Sequence, residues 1–84
     1  MNPFWPGGQP VLVTVEDSRP ALFHWRARVH RVQQISAHWR IHTKWWAESE
    51  IWRDYWQVTT DTGLLCVLYG DLLNGEWHLE RIYE

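Results

Sequence analysis

The feature that most constrains this chain is an apolar run, Leu64 to Tyr69, set between two turn signals: Thr60-Asp61-Thr62-Gly63 before it and Asn74-Gly75 after it. A strand with apolar side chains at successive positions has no face to give to water, so it must be the most buried strand of its sheet. Gly63 sits where a three-residue hairpin needs a left-handed residue, which predicts a type I turn with a G1 bulge. Asn-Gly is the strongest short hairpin signal and leads into a further strand, Trp77 to Tyr83. On the other side, Trp52 to Thr60 alternates Trp52, Asp54, Trp56 and Val58 against Arg53, Tyr55, Gln57 and Thr59, the pattern of a half-buried strand.

Upstream, Val11 to Val15 reads as a first strand, with turn residues at Glu16 to Pro20. Ala21 to Arg26 reads as a second strand, and a tight turn near Ala27 returns into Val29 to Ile35. Trp39 and Ile41 continue the extended reading to about His42, as one long bent strand or two short ones, with the break at Ser36-Ala37. Helix competes over Arg31 to Lys44, but Val32, Ile35, Trp39 and Ile41 fit a 3.6-residue period only in part. The expected fold is all-β: about six antiparallel strands in a small barrel or strongly curved meander sheet, with at most one short helical turn, in Thr43 to Glu50. Residues 1–10, with Pro3, Pro6, Pro10 and Gly7-Gly8, read as a flexible tail, and residues 11–84 as a single domain. Eighty-four residues make a modest core, which eight Trp help to fill.

Charge is unevenly placed. Between Ser18 and Ala47 lie six Lys/Arg, four His and no acid, whereas Glu48 to Glu84 holds eight acids against Arg53 and Arg81. Either the first block forms a local positive field, or the two halves neutralise each other across the sheet. Arg26, Arg28, Arg31, Arg40 and Lys44, interleaved with Trp25, Trp39, Trp45 and Trp46, have the composition of a groove that follows phosphates while aromatic rings stack on bases. Adjacent residues such as Trp45 and Trp46 can hardly both be well buried in a loop, so at least one is expected at the surface. The site reading is therefore Arg26, Arg28, Arg31, Arg40, Lys44, Trp45 and Trp46, for single-stranded nucleic acid or, alternatively, for a protein partner alone.

Catalytic chemistry finds no constellation: there is no nucleophile motif, phosphate-binding Gly loop or close carboxylate pair. Cys66 lies in the apolar run and reads as a small buried hydrophobe. His38 and His42 would share a metal only on a helix, and the local pattern is extended, so neither metal nor cofactor is expected. A single Cys and the lack of a signal-peptide pattern or a long apolar span point to a cytoplasmic protein without membrane contact.

Taken together, the segments Phe23 to Val32, Trp39-Arg40-Ile41, Trp45-Trp46, Trp52 to Val58, Leu68 to Leu72 and Trp77 to Tyr83 resemble a small bacterial domain family of unknown function. A similar segment closes ImuB-type proteins, the inactive Y-family polymerase relatives of mutagenic translesion synthesis. The resemblance spans about residues 19 to 83, with Trp45-Trp46 followed by Trp52-Arg53-Asp54-Tyr55 as its most specific part. This chain has Ala27 where such domains often carry Gly. The resemblance implies a place in DNA damage tolerance, a translesion polymerase subunit as partner, and no catalytic residues.

Overall fold

A computed structural model of the protein describes residues 4–43 and 50–83, with side chains from Gly8 onward. It has six strands: β1 (Phe4–Glu16), β2 (Arg19–Trp25), β3 (Arg28–Thr43), β4 (Ile51–Thr60), β5 (Leu65–Asp71) and β6 (Trp77–Tyr83). Each pairs antiparallel with the next, and β1 pairs with β6, so the sheet closes into a barrel in chain order. No helix occurs among the described residues, and so none long and apolar enough to cross a membrane. The helical turn expected near Thr43 to Glu50 falls largely outside the described residues.

The interior follows from strand periodicity. Phe23, Trp56, Val58, Cys66, Leu68, Leu79 and Ile82 form the buried core, with Val11, Val13, Trp25, Val32, Ile35 and Trp77 packed around them. On the outer face, Tyr55, Val67 and Tyr69 form a second buried cluster. β5 is therefore buried on both faces, as its unbroken apolar sequence demands.

β1 starts earlier than the Val11 expected from the sequence. Phe4 pairs with Arg81 and Gln9 with Leu79, so five steps along β1 oppose two along β6, and the extra residues arch outward. At the end of this arch Gly8 has φ 82°, and a methyl group there would fall 2.6 Å from Cβ of His78 and 2.9 Å from the Tyr69 ring. The Pro and Gly residues that argued for a tail are those that let a paired strand bulge and pass close over an aromatic ring.

β3 is one long strand with two bulges, at Gln33 and at Ser36, the second next to the break read at Ser36-Ala37. Its positions paired with inward-facing β4 residues are Val32, Ile35, His38 and Arg40, a spacing of three, three and two. At the second bulge Ser36 Oγ donates to the Gln57 carbonyl at 3.1 Å. The bulges bend the strand and raise its twist, which a six-stranded barrel needs to close.

The turns follow their residues closely. Gly63 takes φ 87° and donates to the Thr60 carbonyl at 3.1 Å. Asn74-Gly75 lies in a longer loop than a two-residue hairpin: Asp71 N donates to Glu76 O at 2.7 Å, and the Asp71 and Asn74 side chains accept from Leu73 N and Glu76 N. The β2–β3 turn is a two-residue connection with φ 52° at Arg26 and 58° at Ala27, where Gly is preferred. Left-handed geometry costs an L-residue ~1–2 kcal/mol, partly offset by the larger unfolded-state entropy of Gly. Ala27→Gly should stabilise the domain by about 0.5–1 kcal/mol, whereas Gly8→Ala, combining positive φ with a collision, should destabilise it by more than about 1 kcal/mol. Thermal unfolding of both variants measures the opposite signs.

Candidate functional site

At one end of the barrel the β2–β3 hairpin projects beside the β4–β5 turn. Trp25 and Arg28 are cross-strand partners closing the hairpin, and the Arg26 guanidinium lies 4.4 Å from the Trp25 ring centroid. Beneath them, buried His30 stacks on Phe23 at 5.1 Å, with Nδ1 2.6 Å from Thr62 Oγ1 and Nε2 3.3 Å from the Trp25 carbonyl. Thr62 also contacts Thr60 Oγ1 at 2.8 Å, so the polar groups under this end are mutually satisfied. Trp25, Arg26, Arg28, His30, Thr62 and Leu64 line a cleft of about 270 Å³.

Arg31 follows one turn of pairing later. Its amide donates to Asp61 Oδ1 at 3.0 Å and its carbonyl accepts from Asp61 N at 2.9 Å, which locks the two hairpins together. Asp61 is thereby turned to main chain. Arg26, Arg28 and Arg31 are exposed, and among the described residues none has a carboxylate within 4.0 Å. The sequence places these cations here because Arg26 occupies the hairpin tip and Arg31 the outward face opposite Leu22.

Arg40 does not join them. Twelve residues separate Arg28 from Arg40 along β3, a span of roughly 40 Å if fully extended and somewhat less through the bulges. Arg40 instead grips Asp54 across the β3–β4 ladder, Nε to Oδ1 at 2.7 Å and Nη2 to Oδ2 at 3.1 Å. His38 Nε2 lies 3.7 Å from the same carboxylate, and its ring stacks on Trp56 at 3.6 Å. The single basic block of the sequence is thus spread along β3, with Arg26, Arg28 and Arg31 toward the hairpin end and Arg40 engaged by Asp54 on the arm. Lys44, Trp45 and Trp46 lie outside the described residues.

His24 and His30 point to opposite faces, because His24 pairs with Val29 and His30 with Phe23. Sequence reading missed a ladder of rings across the outer face: Trp39 on Tyr55 at 5.4 Å, Tyr55 on Tyr69 at 5.1 Å, and Tyr69 on His78 at 4.9 Å. Arg53 covers this row, 4.4 Å over the Tyr69 ring and donating to the Tyr55 hydroxyl at 3.2 Å. Only knowledge of the register would have revealed it, since the rings come from four strands.

Among the described residues, Cys66 is sealed in the core and His42 is engaged by Glu50. Cys66 is fully buried and burial pushes its thiol up to about 12, so the thiolate is inaccessible near neutrality. His42 Nε2 bonds Glu50 at 2.9 Å, and among the described residues no three metal-ligating side chains gather.

The Arg40 hydrogen bond holds the Asp54 carboxyl below its ordinary value, with the Arg40 charge adding to it and partial burial opposing. A lowered folded-state value means the pair contributes stability above the ordinary value of 3.8, and that contribution is lost as pH falls through the folded value. The wild type should therefore exceed Asp54→Asn in stability near neutral pH, and the gap should shrink progressively below pH 3.8. Urea unfolding of both proteins as a function of pH checks this; a gap independent of pH would contradict it.

Comparison with curated proteins found no match, and comparison with solved structures found none. A family profile does match, over residues 7–84, which covers all six strands except the first residues of β1. The chain belongs to the family described as a domain of unknown function, DUF6504.

Proposed function

We propose that the domain is a non-catalytic binding module whose β2–β3 hairpin end receives the phosphates of a single-stranded nucleic acid. The observation that carries this reading is Arg26 and Arg28, exposed and without a carboxylate partner among the described residues, lining a cleft with Trp25 and His30, while Arg31, likewise without one, lies on the outward face of the same hairpin. Unpaired guanidinium groups bind phosphate by charge and by paired N–H donors, and they pay no cost of breaking an existing ion pair. Arg40 is excluded from the reading because Asp54 already holds it. The hairpin is also pre-positioned: Asp61 fixes Arg31, and the His30–Thr62 contact ties the hairpin to the β4–β5 turn.

In the setting implied by the resemblance to ImuB-type proteins, such a module would sit in the cytoplasm beside a translesion polymerase subunit and hold exposed single strand near it. A protein-contact role has its own support at the far end of β3, where Trp39 and Ile41 are each 38% exposed.

Anisotropy of a labelled single-stranded oligonucleotide tests the proposal. Binding at about 50 mM salt should weaken with salt at a log–log slope of about −2, the value for three phosphate contacts on a single strand. Arg28→Glu should reduce affinity about tenfold or more, and Arg40→Gln should leave it within about twofold. Absence of binding at low salt, or equal sensitivity to both substitutions, would sink the nucleic-acid reading.

A further inference from the structure

β3 is longer than the barrel needs. Its register with β2 ends at Leu22–Arg31, and from Val32 to Thr43 it pairs with β4 alone. No strand other than β2 and β4 approaches it. Beyond the bulge at Ser36 the strand runs regularly from Ala37 to Thr43, so its outward row of main-chain N–H and C=O groups is a template for another strand. The two bulges blunt the first half of this edge, and nothing comparable interrupts the second half among the described residues.

The side chains along the regular half sort by face. Trp39 and Ile41 lie on the outer face and are each 38% exposed. His38, Arg40 and His42 lie on the other, pairing with Trp56, Asp54 and Trp52. β3 contains no acid from end to end. Arg40 uses Nε and Nη2 on Asp54, which leaves the other N–H donors of its guanidinium unused by that carboxylate, and its side chain is 56% exposed.

We infer that the edge Ala37–Thr43 is a docking site for an extended segment of a partner protein, added as a seventh strand, with acidic and apolar side chains in alternation. Main-chain pairing supplies the general affinity, and alternation supplies the choice of partner. One face of the incoming strand sets apolar groups against Trp39 and Ile41. Its other face sets carboxylates beside His38, Arg40 and His42, where Arg40 is held between Asp54 and the partner's acid. A second copy of this chain fits less well, because antiparallel pairing of two such edges brings His38, Arg40 and His42 against their own counterparts. The site is separate from the hairpin end proposed for nucleic acid, so either can exist without the other.

Amide hydrogen exchange on the intact chain, read at residues 37–43, tests the inference with three synthetic peptides of about nine residues, a usual strand length. One alternates Glu with Val, one alternates Lys with Val, and one is the Glu/Val peptide with alternate amides N-methylated. The Glu/Val peptide should slow exchange at alternate amides of Ala37–Thr43 by about tenfold or more, while the other two leave it unchanged. Ile41→Glu, a change at an exposed position that leaves the core intact, should abolish the protection while keeping the native circular dichroism. The inference is overturned if no peptide protects the edge, if the Lys/Val peptide protects it equally, if protection rises with protein concentration alone, or if a single-stranded oligonucleotide protects the same amides.

Discussion

Everything in this fold depends on burying β5 from both sides. Its inner side chains, Cys66 and Leu68, are covered by closing the sheet on itself, and that closure requires β1 to reach β6. Its outer side chains, Val67 and Tyr69, are covered by neighbours on the same surface: Tyr55, His78, the Arg53 guanidinium and the backbone at Gly8. Tyr69 is therefore 1% exposed although it points away from the barrel axis. A small domain gains a second core in this way without a second sheet, and a concentration of large rings makes that possible at 84 residues.

The lower half of the fold was legible because its punctuation is local. Gly63 and Asn74-Gly75 mark turns by backbone geometry, and the apolar run between them can be buried in few ways. β3 was harder, and the reason is physical. Two bulges space its inward residues Val32, Ile35 and His38 by three, close to a helical period, so alternation disappears from the sequence although the strand persists. The opening of β1 is not legible because Pro and Gly locally signal a break in pairing, while in place they shape an arch between two paired stretches. The candidate site was legible in residue type but not in arrangement. Nothing local says that Arg40 meets Asp54 or that the basic block is divided by the length of β3, since both depend on register.

That division gives the domain two surfaces of different character. The hairpin end offers unpaired positive charge held on a hydrogen-bonded base of His30, Thr60, Thr62 and Asp61. The β3–β4 arm offers main-chain edge, apolar side chains and basic groups that share Asp54 and Glu50 and stay partly exposed. Long-range electrostatics governs encounter at the first, and shape with desolvation at the second. The proposed nucleic-acid contact and the proposed strand docking would fall on these two separate surfaces.

The bulges in β3 carry an implication for how such a chain can change in length. Each places two residues opposite one, so loss of Gln33 or Ser36 would leave a regular ladder in which every other side chain keeps its facing. What would alter is curvature: a straighter β3 swings the whole arm, and the edge it carries, relative to the barrel. Single-residue deletions at these two positions are thus a means of re-aiming one surface while the core composition stays fixed, a form of variation open to this strand and closed to β5, where the same deletion would turn the core inside out.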